Sequence, residues 1–313
     1  MINIELCGNR KVYDGMLMSL LSIIKNTNEE LNVYVLTMDL HELDERFVPI
    51  TDEQIETLNK VVKTKNELSK VQKIDITKKF KSEMLHGKNM KTHYTPYIFV
   101  RLFSDVIEEL PDKILYIDTD IICYKDIKEL FDIDISQYEL AVATDCIGRK
   151  AINKKYMNSG VILMNLKRIR KTESFEKARE MCNNKWMMMP DQSAIYRCCK
   201  EKLYLPDKYN EQKARKEDTV IRHFSMTIRW LPIFHLVNIK PWNVEKVHET
   251  FSKFEPLYIV SGDTDFPTQE SIKYYAYVAS ALKKLAPSCL LTTHIKGRYT
   301  YIPKEIYQYL DLC

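Results

Sequence analysis

Asp118 and Asp120 stand one residue apart, directly after the apolar run KILYI at Lys113–Ile117. On extended backbone, residues i and i+2 share a face, so the two carboxylates converge. Hard carboxylate oxygens bind Mg2+ or Mn2+, ions that complete their coordination with the phosphate oxygens of a substrate. A cation held there would neutralise a departing diphosphate, acting as a Lewis acid on the leaving group. The spacing alone says little, because Asp-x-Asp also makes ordinary turns and helix caps. Its position at the end of a predicted strand is what turns the pair into a candidate site. Other polar groups have plain structural readings. His223 ends the apolar run 220–223 and reads as a core histidine; Asn158-Ser159-Gly160 precedes the apolar run 161–164 and reads as a turn. Asp191 opens a helical run, 191–199, and reads as its N-cap.

The elements that must position these groups alternate. Short apolar or β-branched runs predict strands over 3–6, 32–37 and 71–76, and helical periodicity falls at 16–24, 51–65 and 97–110. Further buried strands are predicted over 113–117, 140–144 and 161–164, with a late one over 220–223. This β-α-β-α-β-α order predicts an α/β fold with a mostly parallel sheet and helices on both faces, where ligands sit at the carboxyl ends of strands. After about Trp242 the strands cease, and YYAYVASALKKL at 274–285 predicts an amphipathic helix in a small appendage.

Composition narrows the class. The chain has 313 residues, 45% hydrophobic and 29% charged, as in a globular enzyme rather than a disordered or fibrous chain. A net charge of +4 is too small a bias to predict nucleic-acid binding. Ten lysines between 60 and 91, against Glu67, Asp75 and Glu83, read as a solvated face, with attraction to an acidic membrane as the alternative. The amino terminus does not read as a signal peptide, and no uncharged run reaches the roughly 20 residues of a spanning helix. Eight cysteines without a C-x-x-C pair predict reduced thiols and a cytoplasmic location, or a peripheral one at the inner face of the membrane.

Taken in order, the blocks GMLMSLLSI (15–23), YIFVRLFSDVI (97–107), KILYIDTDIIC (113–123), MNSGVILMNLKRIR (157–170), PDQSAIY (190–196), RHF (222–224) and KPW (240–242) resemble glycosyltransferase family 8. These are retaining transferases that include bacterial lipopolysaccharide galactosyl- and glucosyltransferases. The resemblance implies a GT-A, Rossmann-like fold over residues 1–242, with a mainly helical appendage over 243–313. It also implies transfer of a hexose, from UDP-glucose or UDP-galactose, to a hydroxyl of a saccharide, lipid-linked or protein-linked glycan acceptor. Two other readings of the motif stay open: a haloacid-dehalogenase-like phosphatase using Asp118 as nucleophile and Asp120 as acid, and a nucleotide-sugar-binding protein without catalysis.

Carried over residue by residue, the resemblance makes Asp118, Asp120 and His223 metal ligands, with Thr119 between the first two. The imidazole tilts such a site toward Mn2+ over Mg2+. Arg101 matches a residue that contacts donor and orients carboxylates, Asn158 and Ser159 match the segment lining the donor sugar, and Asp145 matches an acid near its hydroxyls. Asp191 and Gln192 match the catalytic pair beside the anomeric carbon. Retention can arise by double displacement, for which Asp191 is the nearer nucleophile, or by front-face substitution.

Two segments depart from the family pattern. Where the family reads uracil with A-x-D-x-N-Y, this chain has Cys7-Gly8-Asn9-Arg10-Lys11-Val12, and Asn9 offers both a donor and an acceptor. After His223 the family pattern is H-x-x-G-x-x-K-P-W. Met226 and Arg229 take its glycine and lysine places, while Lys240-Pro241-Trp242 comes later. Either Arg229 or Lys240 would then neutralise the diphosphate.

Overall fold

The computed structural model describes residues 1–92, 94–213, 215–229, 235–237 and 240–241, with the short strands Thr292–Thr293 and Tyr299–Thr300. In chain order β1 (Ile2–Cys7), α1 (Tyr13–Asn26), β2 (Leu31–Thr37), α2 (Asp52–Lys63), β3 (Lys70–Asp75) and α3 (Thr77–Met84) alternate. A 3-10 helix, Pro96–Val106, leads to β4 (Lys113–Ile117), and β5 (Ile121–Cys123) follows at once. Next come α4 (Lys128–Phe131), β6 (Leu140–Thr144), α5 (Gly148–Ala151) and β7 (Met157–Asn165). The series closes with α6 (Leu166–Thr172), α7 (Ser174–Asn184), α8 (Pro190–Cys198), β8 (Lys202–Tyr204) and β9 (Ile221–His223).

Seven strands form one sheet in the order β3-β2-β1-β4-β7-β6-β8. It is parallel from β3 to β4, then β7 runs antiparallel to both β4 and β6. Strand alternation divides the core in two. Ile4, Val33, Leu115 and Leu163 pack into one cluster, under α1 and α2, while Tyr34, Tyr116, Ile162 and Met164 pack into the other, with the 3-10 helix, α7 and α8. Buried on both faces, these strands read as continuous apolar runs, which is why they were legible. The sheet order reverses at β1, whose neighbours are β2 and β4, so the crevice of the fold opens at the carboxyl ends of β1 and β4.

Several elements differ from expectation. The predicted helix over 97–110 is the 3-10 helix Pro96–Val106. Its three-residue turn eclipses residues i and i+3, and Ile98, Arg101 and Ser104 form a row facing the sheet. Ile98 and Arg101 border a cavity there, and Ser104 donates a hydrogen bond of 2.8 Å to Glu5 in β1. Asn158-Ser159-Gly160 is not a turn but the start of the nine-residue β7. Polar residues at a strand end that face a site carry no apolar signal, so the predicted strand began at 161. The antiparallel pair Thr227–Arg229 with His235–Val237, and the pair 292–293 with 299–300, are too short to leave a periodicity. Otherwise the appendage 243–313, with its predicted helix 274–285, lies outside the described residues.

The lysine-rich stretch behaves as a solvated face, with Lys60, Lys73 and Lys81 paired to Glu56, Asp52 and Glu42. The six described cysteines are unpaired. Among the described residues, no helix is long and apolar enough to cross a membrane.

Glu5 places a carboxyl in the interior of the sheet. Its side chain is buried in β1, accepts from Ser104 and Cys7, and leaves Oε2 without a partner. Burial raises its pKa to about 7, although Ser104, Cys7 and Arg101 pull the other way. A carboxyl raised in the folded state stabilises the fold below its unfolded value and loses that stability as pH rises through its folded value. Glu5→Gln should therefore remove a decline in stability between roughly pH 4.5 and about 7, on the order of 3 kcal/mol. Thermal unfolding across that range checks this: parallel curves for the two proteins would contradict a neutral, buried Glu5.

Candidate active site

Asp118 leaves β4 with its N–H bonded to the carbonyl of Gly160, 2.8 Å away. The antiparallel pairing of β4 with β7, Ile117 opposite Val161, therefore sets the start of β7 beside the carboxylates. Beyond Asp120, β5 pairs antiparallel with β9, Ile121 opposite His223. That ribbon delivers the imidazole: Nε2 lies 3.6 Å from Asp118 Oδ2 and 3.3 Å from Asp120 Oδ1. Ligand atoms of Asp118, Asp120 and His223 all fall within 4.8 Å of one another. Adjacent ligands about 2 Å from a shared divalent ion lie roughly 3 Å apart, so two hard oxygens and one imidazole fit such an ion. Lys240 Nζ contacts Asp120 Oδ2 at 2.5 Å.

Gly160 is required here by space. A Cβ on it would lie 2.6 and 2.8 Å from Nδ1 and Nε2 of His223, inside the imidazole's contact distance.

Arg101 organises the other side. The guanidinium is 6% exposed and donates to Asp118 Oδ1 (2.9 Å) and to the Ser159 carbonyl (2.6 Å), with Nε 3.6 Å from Asp191 Oδ2. Its Cζ stacks 4.3 Å from the centre of the Tyr116 ring, and the Tyr116 hydroxyl donates to Asp118 Oδ1. Burial opposes the charge on Arg101, but Asp118, Tyr116 and Asp191 outweigh it and hold the pKa above the ordinary arginine value.

Asp191 and Gln192 lie in the first turn of α8, both 7% exposed. Gln192 Oε1 accepts from Ser159 N–H (3.0 Å) and Oγ (3.2 Å), and its Nε2 donates to Asp145 Oδ2 (3.4 Å). Asn158 Nδ2 donates to the same oxygen at 2.9 Å. Burial raises the pKa of Asp191 despite Arg101. Burial pushes Asp120 the same way, but Lys240 and His223 prevail and hold it well below the usual carboxylate range.

Cys7, Gly8, Asn9, Arg101, Asp118, Thr119, Asp120 and Lys240 line one cavity of about 600 Å3, walled also by Phe47, Tyr94 and Tyr97. Asn9 is largely committed within the fold: Oδ1 caps Lys11 N–H (3.1 Å) and Nδ2 donates to the Arg46 carbonyl (3.3 Å). Arg229 ends a short strand, and its side chain lies outside the described residues. Sequence reasoning missed Tyr116 and Asn210. Tyr116 shares a face with Asp118 two residues on, a signal that was present; Asn210 lies in a loop 13 residues before His223, with no pattern to mark it.

A mixed sheet with a carboxylate cluster at its switch point is the GT-A arrangement. The chain belongs to Glycosyl transferase family 8, whose profile matches residues 3–246. Lipopolysaccharide 1,2-glucosyltransferase of Escherichia coli is 24% identical over 284 residues, 84% of this chain and 79% of that one. The glycosyl transferase Gly of Streptococcus gordonii is 27% identical over 169 residues, 54% of this chain, and this chain spans only 20% of its length. The solved galactosyltransferase LgtC, in complex with donor and acceptor sugar analogs, superposes with a TM-score of 0.55 at 16% identity, covering 98% of this chain and 100% of that one. The family match supports the transferase reading of Asp118-Thr119-Asp120 over the phosphatase one.

Gly160→Ala should move the His223 ring and weaken divalent-cation binding roughly 10–100-fold while the protein still folds, since the change lies at one strand end. Mn2+ titration followed by calorimetry reads this directly. Wild-type affinity in a folded variant would show that the ring is not held against Gly160.

Proposed function

We propose that the chain moves glucose or galactose from a UDP-sugar to a hydroxyl of a glycan acceptor, with retention and in dependence on a divalent cation, Mn2+ before Mg2+. The convergence of Asp118, Asp120 and His223 at one end of the cavity, beside the buried Asp191–Gln192 cluster, carries this reading. The cavity has the volume of a nucleotide site and aromatic walls for a base. When bound, the cation supplies positive charge where the diphosphate leaves. Lys240, at the same mouth, is placed to move from Asp120 to that diphosphate, with Arg229 as the alternative contact. Asp145, Asn158 and Ser159, buried beside the cavity rather than lining it, are the groups proposed to meet the donor sugar. The similarity to a lipopolysaccharide glucosyltransferase supports a saccharide acceptor, free or lipid-linked. The division at residue 242, and a cytoplasmic location with contact at the inner membrane face, belong to the same proposal.

Asp191 is the group best suited to stabilise or capture the anomeric carbon. It is buried, and one oxygen is oriented by Arg101 and by Ser159 Oγ at 3.5 Å. Gln192 is held through both ends of its amide, which suits orientation rather than attack.

UDP should bind tightly only with Mn2+ present, and Asp120→Ala should abolish that binding. Unchanged, metal-independent UDP affinity by calorimetry in the variant would refute the site. Asp191→Asn should lower metal-dependent sugar transfer or donor hydrolysis by at least about 100-fold, with UDP affinity within about threefold of wild type. Mass spectrometry of UDP release from UDP-glucose and UDP-galactose makes the measurement and identifies the sugar.

A further inference from the structure

Asn210 caps the short 3-10 helix Asp207–Tyr209 and is 1% exposed. Its Oδ1 lies 3.0 Å from His223 Nδ1, and its Nδ2 lies 2.9 Å from Asn158 Oδ1. The polarity of this chain follows from one backbone group. Gly160 N–H is an obligate donor and sits 2.9 Å from Asn158, so the atom there is the amide oxygen. An oxygen at that place requires a donor from Asn210, which turns the Asn210 amide so that its own oxygen faces His223. An amide oxygen only accepts, so the proton of a neutral His223 must sit on Nδ1. Nε2 is then the nitrogen left to face Asp118 and Asp120, the one whose lone pair a divalent cation would take.

We propose that Asn210 is a positioning residue that locks His223 in the Nδ1–H tautomer for a divalent cation. It also ties that imidazole to the sugar side of the site. The second half of the chain makes the tie: Asn158 Nδ2 donates to Asp145 Oδ2, to which Gln192 Nε2 also donates. Asp145 Oδ1 is fixed in turn by the N–H groups of Ile147 (2.9 Å) and Gly148 (2.6 Å). An unbroken run of hydrogen bonds thus joins the cation's imidazole to Gln192. Outer partners of this kind typically set cation affinity by a factor of about 10–100. The inference rests on the reading of Asp118, Asp120 and His223 as a cation site.

The test uses the whole chain and Mn2+ alone, without nucleotide. Two-bond 1H–15N correlation of the metal-free protein should show a proton on His223 Nδ1. Asn210→Leu, which keeps volume but removes the amide, should give a tautomer mixture and lower Mn2+ affinity about 10–100-fold by electron paramagnetic resonance titration. Asn210→Asp keeps an acceptor for Nδ1 but loses the donor to Asn158. It should hold Mn2+ affinity within about threefold of wild type, or tighter, while UDP-hexose loses affinity relative to UDP. An Nε2–H tautomer in the wild type, or unchanged Mn2+ affinity in a folded Asn210→Leu, would overturn the role of Asn210 alone. No Mn2+ binding by the wild type would overturn it together with the cation site. Should Asn210→Leu fail to fold, the wild-type tautomer and Asn210→Asp still decide.

Discussion

The Arg101 guanidinium is the contact on which the centre of this molecule depends. It is enclosed by the sheet and α8, and it holds carboxylates from two elements far apart in sequence, Asp118 at the end of β4 and Asp191 at the start of α8. A buried charge is costly unless paired, and removing one partner of such a pair typically costs about 3–5 kcal/mol. Asp118, bonded directly to Arg101, carries more of that pairing than Asp191 at 3.6 Å. Tyr116 completes the enclosure by stacking on the cation and donating to one of its carboxylates. The Ser159 carbonyl, accepting from the same guanidinium, ties in the start of β7. Three elements thus meet on one side chain, and their polar ends have no apolar reason to be there.

The sheet makes that meeting possible. A wholly parallel sheet would leave the end of β4 beside another carboxyl end. Because β7 is antiparallel, its amino end comes instead, with Asn158 and Ser159 standing beside Asp118. The small β5–β9 ribbon repeats the device on the opposite side, bringing His223 against Asp120 and pressing it onto Gly160. The active cluster is assembled from two antiparallel pairings grafted onto a parallel half, whose switch point supplies the cavity.

That construction explains what could be read from sequence. The inner parallel strands β1, β2 and β4, buried on both faces, announce themselves as apolar runs, and Asp118-Thr119-Asp120 follows one of them directly. His223 and Asp191 were legible only through resemblance, since a histidine at a strand end and an aspartate in a first helical turn have ordinary explanations. Asn158 to Gly160 were assigned a turn because strand residues that face a site are polar, and polarity hides a strand. The 3-10 geometry of Pro96–Val106 was hidden for another reason: apart from Arg101 every residue from Pro96 to Phe103 is apolar or aromatic, so the run marks neither a period of three nor one of 3.6. Asn210 left no trace, because its function lies in an amide orientation fixed by contacts 13 and 52 residues away.

Charge balance links these parts to chemistry. Asp118, Asp120, Asp145 and Asp191 gather in a mostly buried cluster, and among the described residues Arg101 and Lys240 bring permanent positive charge into contact with it. A diphosphate entering that end of the cavity meets carboxylates unless further positive charge arrives with it. Among the described residues, two carboxylates and an imidazole converge at Asp118, Asp120 and His223, where a divalent cation would answer that demand. Lys240 then has a choice of anion: Asp120, which it holds in this structure, or the incoming phosphate. The low pKa of Asp120 expresses the same balance, since Lys240 and His223 keep the carboxylate ionised against its burial.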